Sequence, residues 1–261
     1  MRIARDLLIL LVVFGALWFG ASKINWSPKL ETGRIVSIEK EEELGELLFE
    51  HQIKNGTHGE ILKVPYVDSV LDQLVKRLQK TSPESEYNYE VYVLDNSQIN
   101  AFTLPAGKIC FYKGILEKME YPEELAAVLA HEMGHNEEHH ILKRLVANFG
   151  LAVLMGGDEV ILSEVFKSLG LMRFARSQER EADAYAFTSL EKAGIHPKYF
   201  GTVMSKLNSL SDEEESELVD ILNTHPNTKE RMKKAFKFKV AKDFKEKSMD
   251  VDWKKFQAAL D

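Results

Sequence analysis

His131, Glu132 and His135 stand within Leu125–His135, LAAVLAHEMGH. Two histidines four apart lie one turn above another on one face of a helix. Two imidazoles at that spacing can bind one zinc ion. A glutamate beside the first histidine can reach a water on such an ion and take its proton. The pattern is H-E-x-x-H, in which the glutamate is the general base of metal-assisted peptide hydrolysis. The competing reading is a solvated helix face that carries the pattern by chance. The surroundings speak against it. From Leu125 to Met133 only His131 and Glu132 are polar, and Gly134 occupies the inner position. A helix apolar almost all round is a buried one, and burying a His-Glu pair without partners costs roughly 2–7 kcal/mol per polar group. Pro122, Glu123 and Glu124 supply the helix start, with proline at the first position and acids against the positive end of the dipole.

A second constellation lies downstream in RFARSQEREADAYAFTSLEK, Arg173 to Lys192, a helix by composition. Arg176, Glu179 and Asp183 are spaced by three and four and so form one row. Ala182 and Ala186 share that side, which lets this helix lie close to Gly134 of the first. A carboxylate delivered to two histidines makes the His-His-Glu set of catalytic zinc, with a fourth position open for water. Glu179 is the candidate ligand. Glu181 competes with it but lies about 200° round the helix. Asp183, one turn on, can accept a hydrogen bond from a ligand imidazole and fix its tautomer, and Arg176 can hold either carboxylate. The alternative is a solvated row of ion pairs. His139, four residues past His135, is a candidate for the surroundings of the metal. A third ligand of the metzincin pattern stands six residues after the second histidine, where this chain has Ile141. His139 and His140 are therefore read as support for the ligands or as surface.

Thr224-His225-Pro226, with Arg231 six residues after the histidine, is the last motif with chemistry in it. His225 on a proline-containing turn can donate to an oxyanion, with Arg231 assisting. It can also occupy the open metal position and hold the site latent, or it can be a helix-entry histidine with no chemical part.

The elements that must position these residues are read as follows. Glu39–Ile53 is an amphipathic helix with Leu44, Leu47 and Leu48 inward and Glu41, Glu42, Glu43 and Glu46 on a solvated face. His51 and His58 are surface residues. Val67–Leu78 is a second helix. Tyr87–Leu94 alternates as a strand does, and Asn100–Leu116 reads as a hairpin bent at Pro105-Ala106-Gly107. The exposed edge of such a sheet can take an extended peptide as an added strand over Asn100, Ala101, Phe102, Thr103 and Leu104; plain core sheet is the alternative. Leu145–Gly157 is a core helix or an apolar flap, and Asp158–Leu169 is amphipathic. Lys233–Lys247 carries seven lysines among three phenylalanines. It is read as a solvated helix, with an anionic lipid or partner as the alternative. Val251, Trp253, Phe256 and Leu260 make a short final helix that packs back.

The chain has 261 residues, 44% of them hydrophobic and 29% charged, enough for one large domain and its core. The net charge of −7 gives no reason to expect nucleic acid. The single cysteine, Cys110, excludes an internal disulfide and reads as an inert core residue. Leu7–Ala21 is an uncharged apolar run behind Arg2 and Arg5. Its length lies between a signal-peptide core and a full membrane span. An uncleaved N-terminal anchor is preferred to a cleaved signal, and either sends the remainder across the membrane.

The chain resembles the CAAX-prenyl-protease and HtpX-like family of zinc metallopeptidases. Four stretches carry the resemblance: NAFTLPAGKICFYKGIL, AAVLAHEMGH with His139, ARSQEREADAYA and THPNTKERM, over roughly residues 39–235. It implies one zinc ion on His131, His135 and Glu179, Glu132 as base, Asp183 behind a ligand, and a cleft lined by Asn100–Leu104. Branches of that family carry membrane helices between the two metal motifs; this sequence has none there and is similar to the single-domain branch of bacterial envelopes and mitochondria, which works in protein quality control. The expected fold is α+β, a mostly helical zincin-type domain with a small sheet beside the H-E-x-x-H helix and one hydrophobic helix before it. The expected divisions are an anchor or signal peptide over 1–22, a linker over 23–38, the peptidase domain over 39–240 and an amphipathic tail over 241–261. The expected activity is zinc-dependent endopeptidase action on misfolded or unassembled envelope polypeptides, from a membrane-anchored chain whose catalytic domain is extracytoplasmic. A chaperone or adaptor with a structural or latent zinc site is the alternative.

Overall fold

The computed structural model describes residues 36–54, 58–150, 153, 164–165, 173–211, 221–226 and 228–260. Helix α1 (Ile38–Phe49) is capped by the Ser37 hydroxyl, which accepts from the Lys40 amide, and runs on into a π-helical turn over Glu50–Lys54. Strand β1 (Ile61–Leu62) leads to α2 (Pro65–Gln79), where proline opens the helix and Val67, Val70, Leu71, Leu74, Val75 and Leu78 form one buried stripe. Strands β2 (Glu90–Leu94), β3 (Ala101–Leu104) and β4 (Lys108–Tyr112) complete a four-stranded sheet of order β1-β2-β4-β3. Within it β4 is parallel to β2 and antiparallel to β3. All five residues of β4 are buried, as expected of a central strand, and Cys110 among them is fully enclosed. Burial pushes its thiol far above the usual range, which keeps it an inert thiol.

The hairpin between β3 and β4 turns through Pro105–Gly107, where Ala106 and Gly107 both take the left-handed conformation (φ 63° and 80°). Alanine there costs about 1–2 kcal/mol. The tip is held from outside by the Glu41 carboxylate, which accepts from the Ala106 amide at 3.4 Å, and by Asn136, which accepts from the Gly107 amide at 3.1 Å. Glu41 therefore departs from the solvated face expected of α1. It is 1% exposed and accepts a 2.9 Å hydrogen bond from the Tyr87 hydroxyl. His58 likewise is half-buried rather than on the surface, with its Nδ1 at the Tyr112 hydroxyl. Pairing of β2 starts at Glu90 rather than Tyr87, because Tyr87 and Tyr89 turn inward and bond Glu41 and Glu137.

After a short α3 (Lys113–Glu117), α4 (Pro122–Glu137) runs through the core with every residue from Glu124 to Asn136 buried. Then follow α5 (His140–Phe149), α6 (Arg176–Lys192), α7 (Lys198–Ser211), α8 (Ile221–Thr224), α9 (Thr228–Lys237) and α10 (Trp253–Ala258). Helix α6 lies against α4 at the residues expected. A Cβ built on Gly134 would stand 2.9 Å from the Ala182 carbonyl oxygen and 3.0 Å from its Cα. The lysine tract is helical only to Lys237. Beyond it the backbone is irregular, with a turn at Lys242 and Asp243, and is tied down by Arg77, which donates to the carbonyls of Ala193, Lys247 and Ser248. The expected final helix is α10, capped by Asp252, with Phe256 and Leu260 in the core.

The fold is thus α+β, mostly helical around a small sheet. The N-terminal apolar run and all but a few residues of 151–172 lie outside the described residues. Among the described residues no helix is long and apolar enough to cross a membrane.

Gly134→Ala adds about 1 kcal/mol of helix propensity, but its methyl meets backbone that cannot yield, at an overpacking cost of about 1–3 kcal/mol. The expected outcome of thermal denaturation is a melting temperature lower by several degrees, against the sign of propensity.

Candidate metal centre

Helix α4 brings His131 and His135 to one point. Their Nε2 atoms are 3.1 Å apart. From α6, Glu179 places Oε1 3.4 Å from His135 Nε2 and Oε2 3.7 Å from His131 Nε2. From the turn after α8, His225 places Nδ1 3.1 Å from Glu179 Oε1 and 3.2 Å from His131 Nε2. All four residues are buried, and one ligand atom from each lies within 4.8 Å of every other. Separations of 3.1–3.7 Å between ring nitrogens and carboxylate oxygens are those of atoms that can share one ion at about 2.0–2.1 Å. Glu132 supplies a second test of fit. It is 0% exposed, and neither carboxylate oxygen has a hydrogen-bond partner among the described residues. Its nearest opposite group is His225, with Nε2 3.7 Å from Oε1. A bare carboxylate in the core is costly unless a cation or a bound water meets it. The donor set fits a divalent metal.

The electrostatics are dominated by burial and by mutual charge. Burial raises the pKa of Glu132 in spite of His225 and His131 beside it. Burial also works against an ionised Glu179, but His225, His135 and Arg231 together hold it far below the usual carboxylate range. Burial takes His135 well below the usual imidazole range. His225 moves the other way, because Glu179 outweighs its burial.

Asp183 stands where the sequence predicts, with Oδ1 3.2 Å from His131 Nδ1. It can fix that ring's tautomer. The arginine behind the carboxylates is a different one from that expected. Arg176 is exposed at the first turn of α6. Arg231, 2% exposed, instead donates from Nε and Nη2 to Asp183 at 3.0 and 2.8 Å and forms an ion pair through Nη1 with Glu179. Its plane lies against Phe200 at 5.2 Å. Arg231 is thus engaged by Glu179 and Asp183, which departs from the oxyanion-assisting place expected of it. His139 also departs from expectation. It takes the left-handed conformation (φ 52°) and bonds the Tyr87 hydroxyl at 2.6 Å, away from the cluster. His140 is the residue that meets a ligand, with Nδ1 3.0 Å from His135 Nδ1.

The strand expected to line a cleft is the edge strand β3, but it departs from the exposed edge expected: Asn100, Ala101, Thr103 and Leu104 are buried and Phe102 is half-buried. The Tyr112 amide donates to the Asn100 carbonyl, and by antiparallel alternation the main-chain groups of Ala101 and Thr103 point away from β4. Asn136 on α4 donates to the Thr103 hydroxyl, so the strand is tied to the helix that carries the two histidines. Sequence reasoning passed over Asn136, whose one signal is its place four residues past Glu132. It passed over Phe174 as well, whose ring lies tilted against His135 at 3.8 Å between centroids.

Two imidazoles and a carboxylate around one point, with an idle carboxylate beside them, are the furnishings of a hydrolytic metal enzyme; a purely structural site has no use for the last. The comparisons carry this to a family. The chain belongs to peptidase family M48, whose model matches residues 62–238. It is 32% identical over 180 residues to the mitochondrial metalloendopeptidase OMA1 of Arabidopsis thaliana, covering 64% of this chain and 36% of that protein. It is 32% identical over 155 residues to the metalloprotease LoiP of Escherichia coli, covering 55% and 59%. With the beta-barrel assembly-enhancing protease of Yersinia pestis it shares 24% identity over 220 residues, covering 78% and 44%. The chain thus spans less than two thirds of the length of each of these relatives.

Arg231→Gln leaves the carboxylates of Glu179 and Asp183 buried without their cation. The expected loss of stability in the metal-free chain is about 3–5 kcal/mol, read from urea unfolding. Arg231→Lys recovers only part of it, since an ammonium cannot span two carboxylates.

Proposed function

We propose that the chain is a zinc-dependent metalloendopeptidase in which His131, His135 and Glu179 hold the ion and Glu132 is the general base. The observation that carries this reading is Glu132, a wholly buried carboxylate with both oxygens unbonded beside the ligand cluster. A chaperone or adaptor with a structural zinc clamp has no use for such a group. A zinc ion held there supplies the Lewis acidity that makes water a nucleophile near neutral pH and polarises a peptide carbonyl. Glu132, with its pKa raised by burial, is suited to take the proton of the attacking water and to deliver it to the leaving nitrogen. Asp183 keeps the His131 proton on Nδ1, so that Nε2 faces the ion. Arg231 holds Glu179 and Asp183 in place. The substrate is a polypeptide laid as an added strand along β3 over Asn100–Leu104, where Ala101 and Thr103, now 0% and 3% exposed, must be uncovered before a peptide can pair.

The relatives, a mitochondrial metalloendopeptidase, a metalloprotease and a beta-barrel assembly-enhancing protease, support a polypeptide substrate, and we take misfolded or unassembled envelope proteins as its class. Residues 1–22 are an N-terminal anchor, 23–38 a linker, 39–240 the peptidase domain and 241–261 a tail on that domain. The domain works on the extracytoplasmic side.

A second reading of the resting state is favoured by one observation: His225 brings a fourth donor, a third ring nitrogen, into the ligand set. In that state His225 takes the position that water needs, and the site is latent until the turn after α8 moves.

Casein cleavage and bound zinc, measured on the purified full chain, test the proposal. Glu132→Gln keeps zinc and loses turnover by at least about 100-fold, whereas His135→Ala and Glu179→Ala lose the zinc. Full activity in Glu132→Gln would remove the assigned base. For His225→Ala the expected outcome is faster cleavage with zinc retained; slower cleavage would assign His225 to the oxyanion instead.

A further inference from the structure

His140 opens α5 directly after the left-handed His139, and only 1% of it is exposed. Its Nδ1 is 3.0 Å from Nδ1 of His135, the ring nitrogen that faces away from the ligand cluster. Its Nε2 is 2.9 Å from Oε2 of Glu181. Glu181 reaches it from α6, two residues past Glu179 and about 200° round the helix, with its side chain 53% exposed. Phe174 lies over the His135 ring, with centroids 3.8 Å apart, and lines the same side of His140.

These contacts set the protons from the surface inward. An ionised carboxylate only accepts, so the 2.9 Å contact with Glu181 requires the proton of neutral His140 on Nε2. The lone pair of His140 is then on Nδ1. Two Nδ1 atoms 3.0 Å apart bond only if one of them donates, so His135 carries its proton on Nδ1. That leaves the His135 lone pair on Nε2, the nitrogen that stands 3.1 Å from His131 and 3.4 Å from Glu179. The opposite order would set a lone pair against a carboxylate oxygen.

We propose that His140 and Glu181 are positioning residues for His135: the carboxylate at the surface fixes the tautomer of His140, which fixes the tautomer and ring orientation of His135 for metal binding. This rests on the reading of His131, His135 and Glu179 as the metal-holding set. It gives His135 what Asp183 gives His131, but through an intervening ring. The same residues have a rival use. Glu138, His140 and Glu181 have ligand atoms within 4.8 Å of one another and could take a second ion. An ion on His140 Nε2 would force the proton onto His140 Nδ1, against the Nδ1 proton of His135. Positioning and a second ion are therefore mutually exclusive.

The test is zinc affinity of the full chain by competition with a chromophoric chelator, with the metal-free melting temperature and the visible spectrum of the cobalt-loaded protein as further readouts. His140→Ala weakens zinc binding about 10–100-fold and shifts the cobalt bands. His140→Asn, whose amide oxygen can accept where Nδ1 does, recovers most of the affinity. Glu181→Ala, at an exposed position, weakens zinc several-fold without lowering the metal-free melting temperature, and has no effect in the His140→Asn background. If His140→Ala fails to fold, Glu181→Ala decides alone. Unchanged affinity in Glu181→Ala overturns the proposal, as does a wild-type chain that binds two zinc ions and loses one in Glu181→Ala. Failure of the ligand reading looks different: the wild type then binds no zinc, or His135→Ala binds it as the wild type does, and the positioning role falls with it.

Discussion

Three carboxylates in an apolar interior are the constraint around which this molecule is built. Glu132, Glu179 and Asp183 are each at most 3% exposed, and the cluster they belong to is flanked by buried Val128, Phe174, Phe200 and Ile221. Uncompensated, each ionised group would be held out of the core by several kcal/mol. Arg231 compensates two of them at once, with Nε and Nη2 on Asp183 and Nη1 on Glu179. A guanidinium is suited to this because its fork is rigid, always charged and weakly hydrated. The third carboxylate, Glu132, is left without a hydrogen bond. The asymmetry is informative. Two carboxylates are held by one guanidinium, and the third has no hydrogen bond, as the proposed base requires.

The same constraint explains the packing of the helices. A carboxylate on α6 can reach the imidazoles on α4 only if the two backbones approach closely, and Gly134 against Ala182 provides that approach. Arg231 lies on α9 and His225 on the turn before it, so the C-terminal helices belong to the centre rather than to an appendage. Arg77 carries the tie further, from α2 to the carbonyls of Ala193, Lys247 and Ser248, and α10 then returns Phe256 to the core.

What could be read from the sequence followed local rules, and what could not was set by contacts between distant residues. Helix α4 was legible because Pro122, a nearly unbroken apolar run and the i, i+4 histidines all act within one helix. The Glu179–Asp183 row was legible for the same reason. The i, i+3 rule also nominated Arg176 and was misleading there, since a cation at the first turn of α6 faces solvent while the cation that matters comes from 48 residues beyond Asp183. No local periodicity marks that partner. Glu41 was misread because four acids in one stretch of helix look solvated; only Tyr87 and the Ala106 amide, both far along the chain, show why one of them is buried. His139 was nominated by extending the helical spacing past His135. The spacing ends there, because α4 stops at Glu137 and His139 adopts a left-handed conformation, which hands the contact with His135 to His140.

Asn136 connects the chemistry to the strand that would receive a peptide. It is the neighbour of His135 on α4, and its side-chain amide spans to the hairpin twice, donating to the Thr103 hydroxyl and accepting from the Gly107 amide. Thr103 lies on the edge strand, where its main-chain groups point away from β4. A peptide paired there would be in register with groups whose distance from the ligand histidines is fixed by one buried amide. Hydrolysis at a defined bond needs the carbonyl placed to within a fraction of an ångström of the base and the metal. A strand held only by its sheet could slide or tilt relative to α4. The bond from Asn136 removes that freedom, and it does so from the residue next to His135, where any shift of the helix is shared by the histidine and by the strand alike.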